Sequence, residues 1–338
     1  MKIVVLCGGT SSERTVSLKT SEKVAKALAS REHQVALVDI YFGCEDGAGF
    51  CTGTYEENIR IIEETAASYH KKTALLENRV YRPVFFGANV LKLCTEADIV
   101  FLGLHGANGE DGRVQATFDL LGIKYTGSGH LGSAIAMSKY HTKKVLSSEI
   151  PMPKGIILRK SDPEIENFPT PCVVKPSNGG SSLGVYIVTE DKDYLPAVKE
   201  AFEYDDVLLV EEFISGRELT QGVLNGKALP PVEIIPDEGF YDYTNKYNGL
   251  TKEVCPAEIS PEVLEEMSRY SVLAGKILGL SVYYRMDYLL DASGKLFCLE
   301  ANTLPGMTDT SLVPQEAAAI GMNYSTLCEK IIQLSLKK

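Results

Sequence analysis

Two short segments near the C-terminal end of the chain carry acidic and amide side chains at a spacing that could bind a divalent cation. Arg285 and Asp287 lie in the first segment, and Glu300 and Asn302 lie in the second. Apolar and aromatic residues flank residues 291–294, whose composition is typical of a turn, so a β-hairpin is predicted. Because strand side chains alternate between faces, all four polar side chains are expected on one face. Two carboxylates and an amide oxygen suit Mg²⁺.

The predicted pairing of this hairpin follows from folding the chain about the centre of the turn. Arg285 then lies opposite Glu300, and Asp287 lies opposite Cys298. Asp287 is diagonal to Glu300 in this pairing, at about 7 Å. The alternative interpretation of the same residues is the solvated face of an edge hairpin. The other motifs of the chain favour the metal site.

Length, charge and cysteine usage restrict the class of protein. A chain of 338 residues is predicted to form two or three domains. The formal net charge of -11 and the lack of basic clusters argue against a nucleic-acid partner. No apolar run approaches the roughly 18 residues that would cross a bilayer, and the N-terminal apolar run is too short for a signal peptide. No membrane partner is therefore expected. The eight scattered cysteines predict a reduced, cytoplasmic protein with no thiolate metal site.

The first part of the chain has the pattern of a parallel α/β domain. An apolar run over residues 3–7 predicts a strand, and a glycine-rich turn and a helix follow it. Residues 34–40 and 98–104 predict two further strands. This order is typical of a doubly wound sheet. Residues 44–89 match no pattern apart from a predicted helix over 55–69.

The second part of the chain alternates short strands with helices, which predicts α+β units with antiparallel sheets. Strands are predicted over residues 172–175, 185–188 and 207–213. Helices are predicted over residues 133–146, 194–204, 260–279 and 323–334. The polar residues 241–250 lack apolar periodicity and predict a surface loop.

A glycine- and serine-rich segment joins two of these predicted strands. Lys175 ends the first strand, and Ser181 and Ser182 lie among several glycines in the loop. Glycine N–H groups and serine hydroxyls can approach phosphate oxygens, and the lysine supplies a positive charge. No helix is predicted to follow, so the segment is neither a Walker A loop nor a Rossmann fingerprint. A phosphate-binding loop is predicted, with a plain hairpin loop as the alternative.

The end of the strand predicted over 207–213 carries the candidate nucleotide contacts. Backbone groups where one strand ends and the next begins can hydrogen-bond an adenine edge, and a nearby carboxylate can bind ribose hydroxyls. The candidate residues are Glu211, Glu212, Phe213, Ile214 and Glu218. The alternative interpretation is a charged strand end.

Four further residues are candidates for binding a small substrate. Glu13 and His105 each follow a predicted parallel strand, where α/β sheets bind their ligands. Glu13 could equally be a helix-capping carboxylate, and a single histidine is often structural. A backbone N–H at Gly306 could stabilise an oxyanion. Ser311 begins a short predicted helix whose N–H groups could bind a carboxylate.

Taken together and in this order, the motifs resemble those of D-alanine–D-alanine ligases of the ATP-grasp superfamily. The resemblance spans nearly the whole chain and covers residues 8–18, 105–112, 125–128, 175–184, 241–247, 285–287 and 300–308. The chain departs from the common family pattern at residues 115–119, which affects helix packing more than chemistry. Residues 44–89 match no family motif.

The resemblance implies a three-domain fold and a two-step reaction. Residues 1–127 would form the doubly wound N-terminal domain with the first substrate site, while 128–212 and 213–338 would clamp ATP, with 241–250 as a mobile lid. Two D-alanines would be joined through an acyl phosphate, with release of ADP and phosphate, for peptidoglycan synthesis. Depsipeptide or D-alanine–D-serine ligases of the same family, other ATP-grasp ligases and a non-catalytic ATP-binding module are the alternatives.

The resemblance also implies roles for individual residues. Lys139, Lys175, Lys246 and the Ser181–Ser182 loop would contact the nucleotide phosphates. Asp287, Glu300 and Asn302 would hold Mg²⁺, in two copies and replaceable by Mn²⁺, and a monovalent cation is left open. The substrate and transition-state contacts would be Glu13, His105, Arg285, Gly306 and Ser311. Tyr247 would lie beside Ser181 and Glu13 and close the lid, and the protein would be a homodimer.

Overall fold

The residues that the structure describes form three β-sheets, with helices on their faces. The computed structural model describes residues 1–45, 49–77, 84–236, 251–308 and 310–338. The predicted lid at 241–250, with Lys246 and Tyr247, lies outside these ranges. None of the helices in the described ranges is long and apolar enough to cross a membrane.

The N-terminal sheet is parallel, as predicted. Strand β1 (Lys2–Cys7) lies between β2 (Gln34–Asp39) and β3 (Ile99–Leu102). All three strands are apolar runs buried in one core, which is typical of parallel strands that are covered on both faces. The helices of this part of the chain are α1 (Arg14–Ala29), α2 (Tyr55–Lys72), α3 (Ala74–Glu77), α4 (Val90–Glu96) and α5 (Arg113–Leu121).

The second sheet is antiparallel and has the strand order β4-β7-β5-β6. Its strands are β4 (Gly155–Arg159), β5 (Cys172–Pro176), β6 (Tyr186–Val188) and β7 (Val207–Glu212). Helix α8 (Asp191–Ala201) packs against β5 and β6 and covers a small apolar core. The sheet leaves the loop between β5 and β6 at its edge, where the predicted phosphate-binding residues lie.

The third sheet is antiparallel and has the order β11-β10-β8-β12-β13, with β9 paired to β8. Its strands are β8 (Gly216–Leu224), β9 (Lys227–Ala228), β10 (Val232–Pro236), β11 (Thr251–Val254), β12 (Tyr283–Asp291) and β13 (Leu296–Asn302). Helix α9 (Pro261–Leu278) packs on this sheet. Its boundaries confirm the prediction, because Ser260 accepts a hydrogen bond from the Val263 N–H at 3.4 Å and Gly279 ends the helix at a φ of 68°.

Two helices complete the chain, α10 (Leu312–Ala319) and α11 (Tyr324–Ser335). The apolar side of α11 packs against α1 and joins the core of the N-terminal sheet. The last helix therefore ties the end of the chain back to its beginning. We keep the division into 1–127, 128–212 and 213–338 as a proposal.

The helix predicted over 133–146 is two helices, α6 (His130–Met137) and α7 (Lys139–Leu146). Between them Ser138 is extended, with φ -90° and ψ 104°, and forms an isolated bridge to Asn178. The Ser138 hydroxyl lies 3.2 Å from that of Ser177 and accepts from the His141 N–H at 3.5 Å. A contact with the loop between β5 and β6 thus breaks the helix, and the same serine caps the new one.

The partners predicted for Arg285 and Asp287 in the β12–β13 hairpin are wrong by two residues. Asp287 lies opposite Glu300, and Arg285 lies opposite Asn302. The turn accounts for one residue, because Leu290 pairs with Leu296 rather than with Lys295. A β-bulge accounts for the other, because Tyr288 pairs with Cys298 and leaves Leu299 as the extra residue. The bulge turns both Leu299 and Glu300 toward one cavity, whereas Cys298 is buried on the other face.

Candidate active site

Two adjoining cavities contain every predicted site residue that lies in the described ranges. The first, of about 720 Å³, lies between the second and third sheets. The second, of about 750 Å³, lies between the glycine turns of the N-terminal sheet and the end of β13. Lys139, Ser181, Arg285 and Glu300 line both cavities. The two groups of predicted residues, nucleotide contacts and substrate contacts, therefore meet along a shared wall.

The first cavity collects the predicted nucleotide contacts. Its lining includes Lys175, Ser182, Glu211, Glu212, Phe213, Ile214, Glu218 and Asp287. The second cavity collects the predicted substrate contacts. Its lining includes Glu13, His105, Asn302, Gly306 and Ser311.

A buried carboxylate in the first cavity is shared by two lysines. Glu211 is 3% exposed, and its two oxygens lie 2.5 Å from Lys143 and 2.5 Å from Lys175. Burial alone would raise the pKa of Glu211, but the two ammonium groups outweigh it and hold the pKa below its ordinary value. Glu211 is thus an ionised counter-charge for both lysines. Sequence reasoning missed Lys143 as a site residue, although its spacing of one helical turn from Lys139 was a usable signal.

The loop between β5 and β6 contacts the N-terminal part of the chain directly. The Ser181 hydroxyl donates a hydrogen bond to Glu13 at 2.5 Å, and Lys139 donates to the Gly179 carbonyl at 2.8 Å. Glu13 stands at the N-cap of α1, but among the described contacts its carboxylate bonds Ser181 rather than the helix N–H groups. Ser181 and Ser182 both have left-handed φ angles, of 54° and 56°. Such angles are strained in residues other than glycine and are held by surrounding contacts.

The predicted metal ligands lie together on the cavity face of the hairpin. Arg285 donates two hydrogen bonds of 2.8 Å to the Asp287 carboxylate, and Asn302 donates one of 2.9 Å. Thr220 donates a fourth at 2.6 Å, a contact that the sequence did not predict. Within the described residues no group of three or more acidic, histidine or cysteine side chains gathers as a metal site. The set here is two carboxylates and one amide, a hard oxygen donor set that fits Mg²⁺.

Glu300 and Lys139 form an ion pair at the junction of the two cavities, with a nitrogen-to-oxygen distance of 2.9 Å. Lys139 begins α7, and Glu300 lies at the bulge of β13. The two charges are therefore held at the wall that the cavities share. A lysine in this position can approach phosphate oxygens from the side of the substrate cavity.

His105 and Glu110 line the second cavity within one turn of the chain. The His105 ring is buried, with Nε2 at 3.2 Å from the Thr20 hydroxyl. Glu110 accepts backbone hydrogen bonds from Gly106 and Leu304, and burial, reinforced by the charge of Glu13, raises its pKa to about 8. Glu110 is a residue of this cavity that was not predicted from the sequence. Its position within the glycine-rich motif that follows β3 was the available signal.

Ser311 stands at the N-cap of α10, where it organises the loop that contains Gly306. Its hydroxyl accepts from the Thr308 N–H at 2.9 Å and lies 2.8 Å from the Thr308 hydroxyl. Tyr324 donates a hydrogen bond of 2.5 Å to the Met307 carbonyl and fixes the loop from the other side. The Gly306 amide and the Ser311 hydroxyl are thereby placed on one wall of the second cavity.

Comparison with known proteins identifies the family. The family model described as "D-ala D-ala ligase N-terminus" matches residues 2–128, and the model described as "D-ala D-ala ligase C-terminus" matches residues 153–333. A D-alanine--D-alanine ligase of Pediococcus pentosaceus is 42% identical, over 98% of this chain and 97% of the relative. A D-alanine--D-alanine ligase of Lacticaseibacillus casei is 37% identical, over 100% and 96%. This chain belongs to the D-alanine–D-alanine ligase family.

Solved structures of the family share the whole fold. The D-alanine--D-alanine ligase of Bacillus anthracis is 34% identical, with a TM-score of 0.76 over 100% of this chain and 98% of the other. A second structure of that enzyme, complexed with ATP, is 32% identical with a TM-score of 0.75, over 100% of this chain and 98% of the other. The VanG D-Ala:D-Ser ligase of Enterococcus faecalis is 29% identical with a TM-score of 0.74, over 99% of both chains. The resemblance and the fold class predicted from the sequence are confirmed.

Proposed function

We propose that this protein joins two D-alanine molecules to D-alanyl-D-alanine, with ATP as co-substrate and release of ADP and phosphate, for peptidoglycan precursor synthesis. The observation that carries the proposal is the shared wall of the two cavities. Lys139, Ser181, Arg285 and Glu300 face both of them. Phosphoryl transfer from a nucleotide to a carboxylic acid requires the two reactants to meet in line at such a junction.

In the first step, a carboxylate oxygen of the first D-alanine attacks the γ-phosphorus, and the bond to the ADP oxygen breaks. Lys139 and Lys175 neutralise phosphate charge, and the loop at Ser181 and Ser182 covers the phosphates. Glu13 and His105 orient the first D-alanine from the opposite wall. The product is D-alanyl phosphate, whose carbonyl carbon is activated toward amines.

Asp287, Glu300 and Asn302 would hold Mg²⁺, in two copies and replaceable by Mn²⁺. When bound, the metal neutralises the negative charge that develops on the phosphate oxygens during transfer. Glu211, Glu212, Phe213, Ile214 and Glu218 would contact the adenine and ribose. That group lines the first cavity, and Glu13 lines only the second.

In the second step, the amine of the second D-alanine attacks the carbonyl carbon of the acyl phosphate. The carbonyl π electrons move to oxygen, and collapse of the tetrahedral intermediate breaks the carbon–oxygen bond to phosphate while the amine loses a proton. Arg285 and the Gly306 N–H stabilise the oxyanion, and Ser311 binds the carboxylate of the second substrate. Lys246 and Tyr247 are retained as proposed lid residues on the basis of the sequence. We further propose a cytoplasmic homodimer.

ADP release with a panel of acceptors tests the proposed function. We expect ATP cleavage that depends on D-alanine, with D-alanyl-D-alanine formed in an amount equal to the ADP. Because the fold also matches a D-Ala:D-Ser ligase, the panel contains D-serine and D-lactate beside D-alanine. ADP release that needs D-serine or D-lactate as the second substrate would replace the proposal with that ligase. No release with any of these acceptors would reject it.

A further inference from the structure

The geometry points to Glu110 as a positioning residue that fixes the loop over residues 303–306 against the first-substrate turn at His105 and Gly106. This inference rests on the proposed function, because it assigns the two segments to one reaction centre. The loop carries Gly306, whose N–H we place at the oxyanion. A carboxyl group that joins the two segments would set the distance between the first substrate and that N–H.

The two oxygens of Glu110 bind one backbone group in its own turn and one that is 194 positions away in the sequence. One accepts from the Gly106 N–H at 2.8 Å, and the other accepts from the Leu304 N–H at 3.2 Å. The backbone of Glu110 reinforces both attachments. Its N–H donates to the Gly106 carbonyl at 2.9 Å, and its carbonyl accepts from the Thr303 hydroxyl at 3.4 Å. Two of these four hydrogen bonds hold Glu110 within the turn after β3, and the other two join that turn to the loop after β13.

The surroundings leave little freedom for either segment. Gly106 has a φ of 71°, and a Cβ atom at that position would lie 2.8 Å from an oxygen of Glu13. The turn therefore lies close to the Glu13 carboxylate, which we assign to the first substrate. Leu304 is 2% exposed and packs in the core of the N-terminal sheet. Glu110 itself lines the second cavity, together with Glu13 and Gly306. The carboxyl group is therefore inside the reaction centre, yet its bonds are directed at backbone groups.

Glu110→Gln is the informative substitution, because the amide keeps the shape of the side chain. Whichever way the amide is turned, its NH₂ group faces one N–H donor and one of the two bonds is lost. A displacement of reacting groups by about 1 Å can lower a rate by about 100-fold. We expect kcat for the dipeptide to fall by about 10- to 100-fold. The dissociation constant for ATP should change less than about twofold, because Glu110 does not line the first cavity.

The ratio of dipeptide to ADP distinguishes a positioning role from a purely structural role, because a purely structural role would leave that ratio unchanged. Wild type should form dipeptide and ADP in equal amounts. With the loop loosened, part of the acyl phosphate is lost to water or to added hydroxylamine, so Glu110→Gln should release more ADP than dipeptide. Glu329→Gln is the matched control, since Glu329 also joins distant segments through a 2.6 Å contact with His33 but lies outside both cavities. That variant should keep the wild-type ratio.

Several outcomes would overturn the inference. Wild-type kcat in Glu110→Gln would do so, and so would a parallel loss of stability and ATP binding with an unchanged product ratio. Should Glu110→Gln fail to fold, Thr303→Val removes the hydroxyl bond to the Glu110 carbonyl and is expected to lower kcat about threefold. Unchanged kcat in that variant would then overturn the inference. A wild type that forms no dipeptide would reject the proposed function itself, which is a separate and recognisable result.

Discussion

Ser181→Ala tests the contact that closes the phosphate-binding loop onto the first-substrate site. The Ser181 hydroxyl donates to Glu13 at 2.5 Å, and the serine is 6% exposed. The substitution removes this donor and leaves the Glu13 carboxylate facing the gap. Because the bond joins residues 168 positions apart in sequence, its loss should loosen the loop relative to the N-terminal domain.

The magnitude follows from the type of bond. A hydrogen bond to a charged group contributes about 1.5–3 kcal/mol. The left-handed φ angles of Ser181 and Ser182 each destabilise the closed loop by about 1–3 kcal/mol. The closed conformation therefore depends on contacts such as the hydrogen bond from Ser181 to Glu13. At about 1.4 kcal/mol for each factor of ten, kcat/KM for D-alanine should fall by about 10- to 150-fold.

Steady-state ADP release at saturating ATP, with D-alanine varied, measures this ratio. Ser293→Ala is the matched control, because Ser293 also donates to a carboxylate, that of Asp291 at 2.6 Å, but in the exposed hairpin turn. The control should retain wild-type kinetics. A Ser181→Ala enzyme with kcat/KM within twofold of wild type would refute the assignment of this contact to the closed reaction centre.

Three further substitutions have defined outcomes. Glu300→Gln should abolish turnover, measured by steady-state kinetics, and weaken nucleotide binding only partly, measured by calorimetry. Near-normal phosphate release would contradict the Mg²⁺ assignment. Lys143→Met leaves Glu211 with one ammonium partner and should weaken ATP binding by about 5- to 30-fold; an unchanged dissociation constant would show that Lys143 is dispensable. Burial raises the pKa of Glu316 well above its ordinary value, although the Gly222 N–H opposes this. Its favourable contribution is complete below the ordinary glutamate pKa and is lost as pH rises through the raised pKa. The free energy of unfolding would be measured with urea from about pH 6 to about pH 9. As pH rises, wild type should lose stability relative to Glu316→Gln, and a constant difference would contradict the pKa shift.

The polar face of the hairpin could be predicted from sequence because strand alternation and turn composition are local properties. Its register could not, because the extra residue at Leu299 depends on packing: Cys298 enters the core while Leu299 and Glu300 face the cavity. A pattern with a strict period of two contains no signal for such an insertion. The break at Ser138 has a similar origin, since its partner Asn178 lies in the loop between β5 and β6, 40 residues along the chain.

Residue roles that depend on a single distant partner also could not be predicted from the sequence. Lys143 is defined by its contact with Glu211, and Thr220 by its hydrogen bond to Asp287. Each partner is more than 60 positions away, so helix or strand periodicity cannot connect them. The motifs with several glycines were easier to predict, because backbone geometry and function point to the same segment.

The fate of isotopically labelled oxygen tests the acyl-phosphate route most directly. The enzyme would be supplied with ATP and D-alanine that carries heavy oxygen in both carboxylate positions, and the released phosphate would be analysed by mass spectrometry. Attack of the carboxylate on the γ-phosphorus, followed by cleavage of the carbon–oxygen bond, predicts one heavy oxygen in each phosphate formed with dipeptide. Phosphate without the label, at normal dipeptide yield, would contradict the proposed reaction.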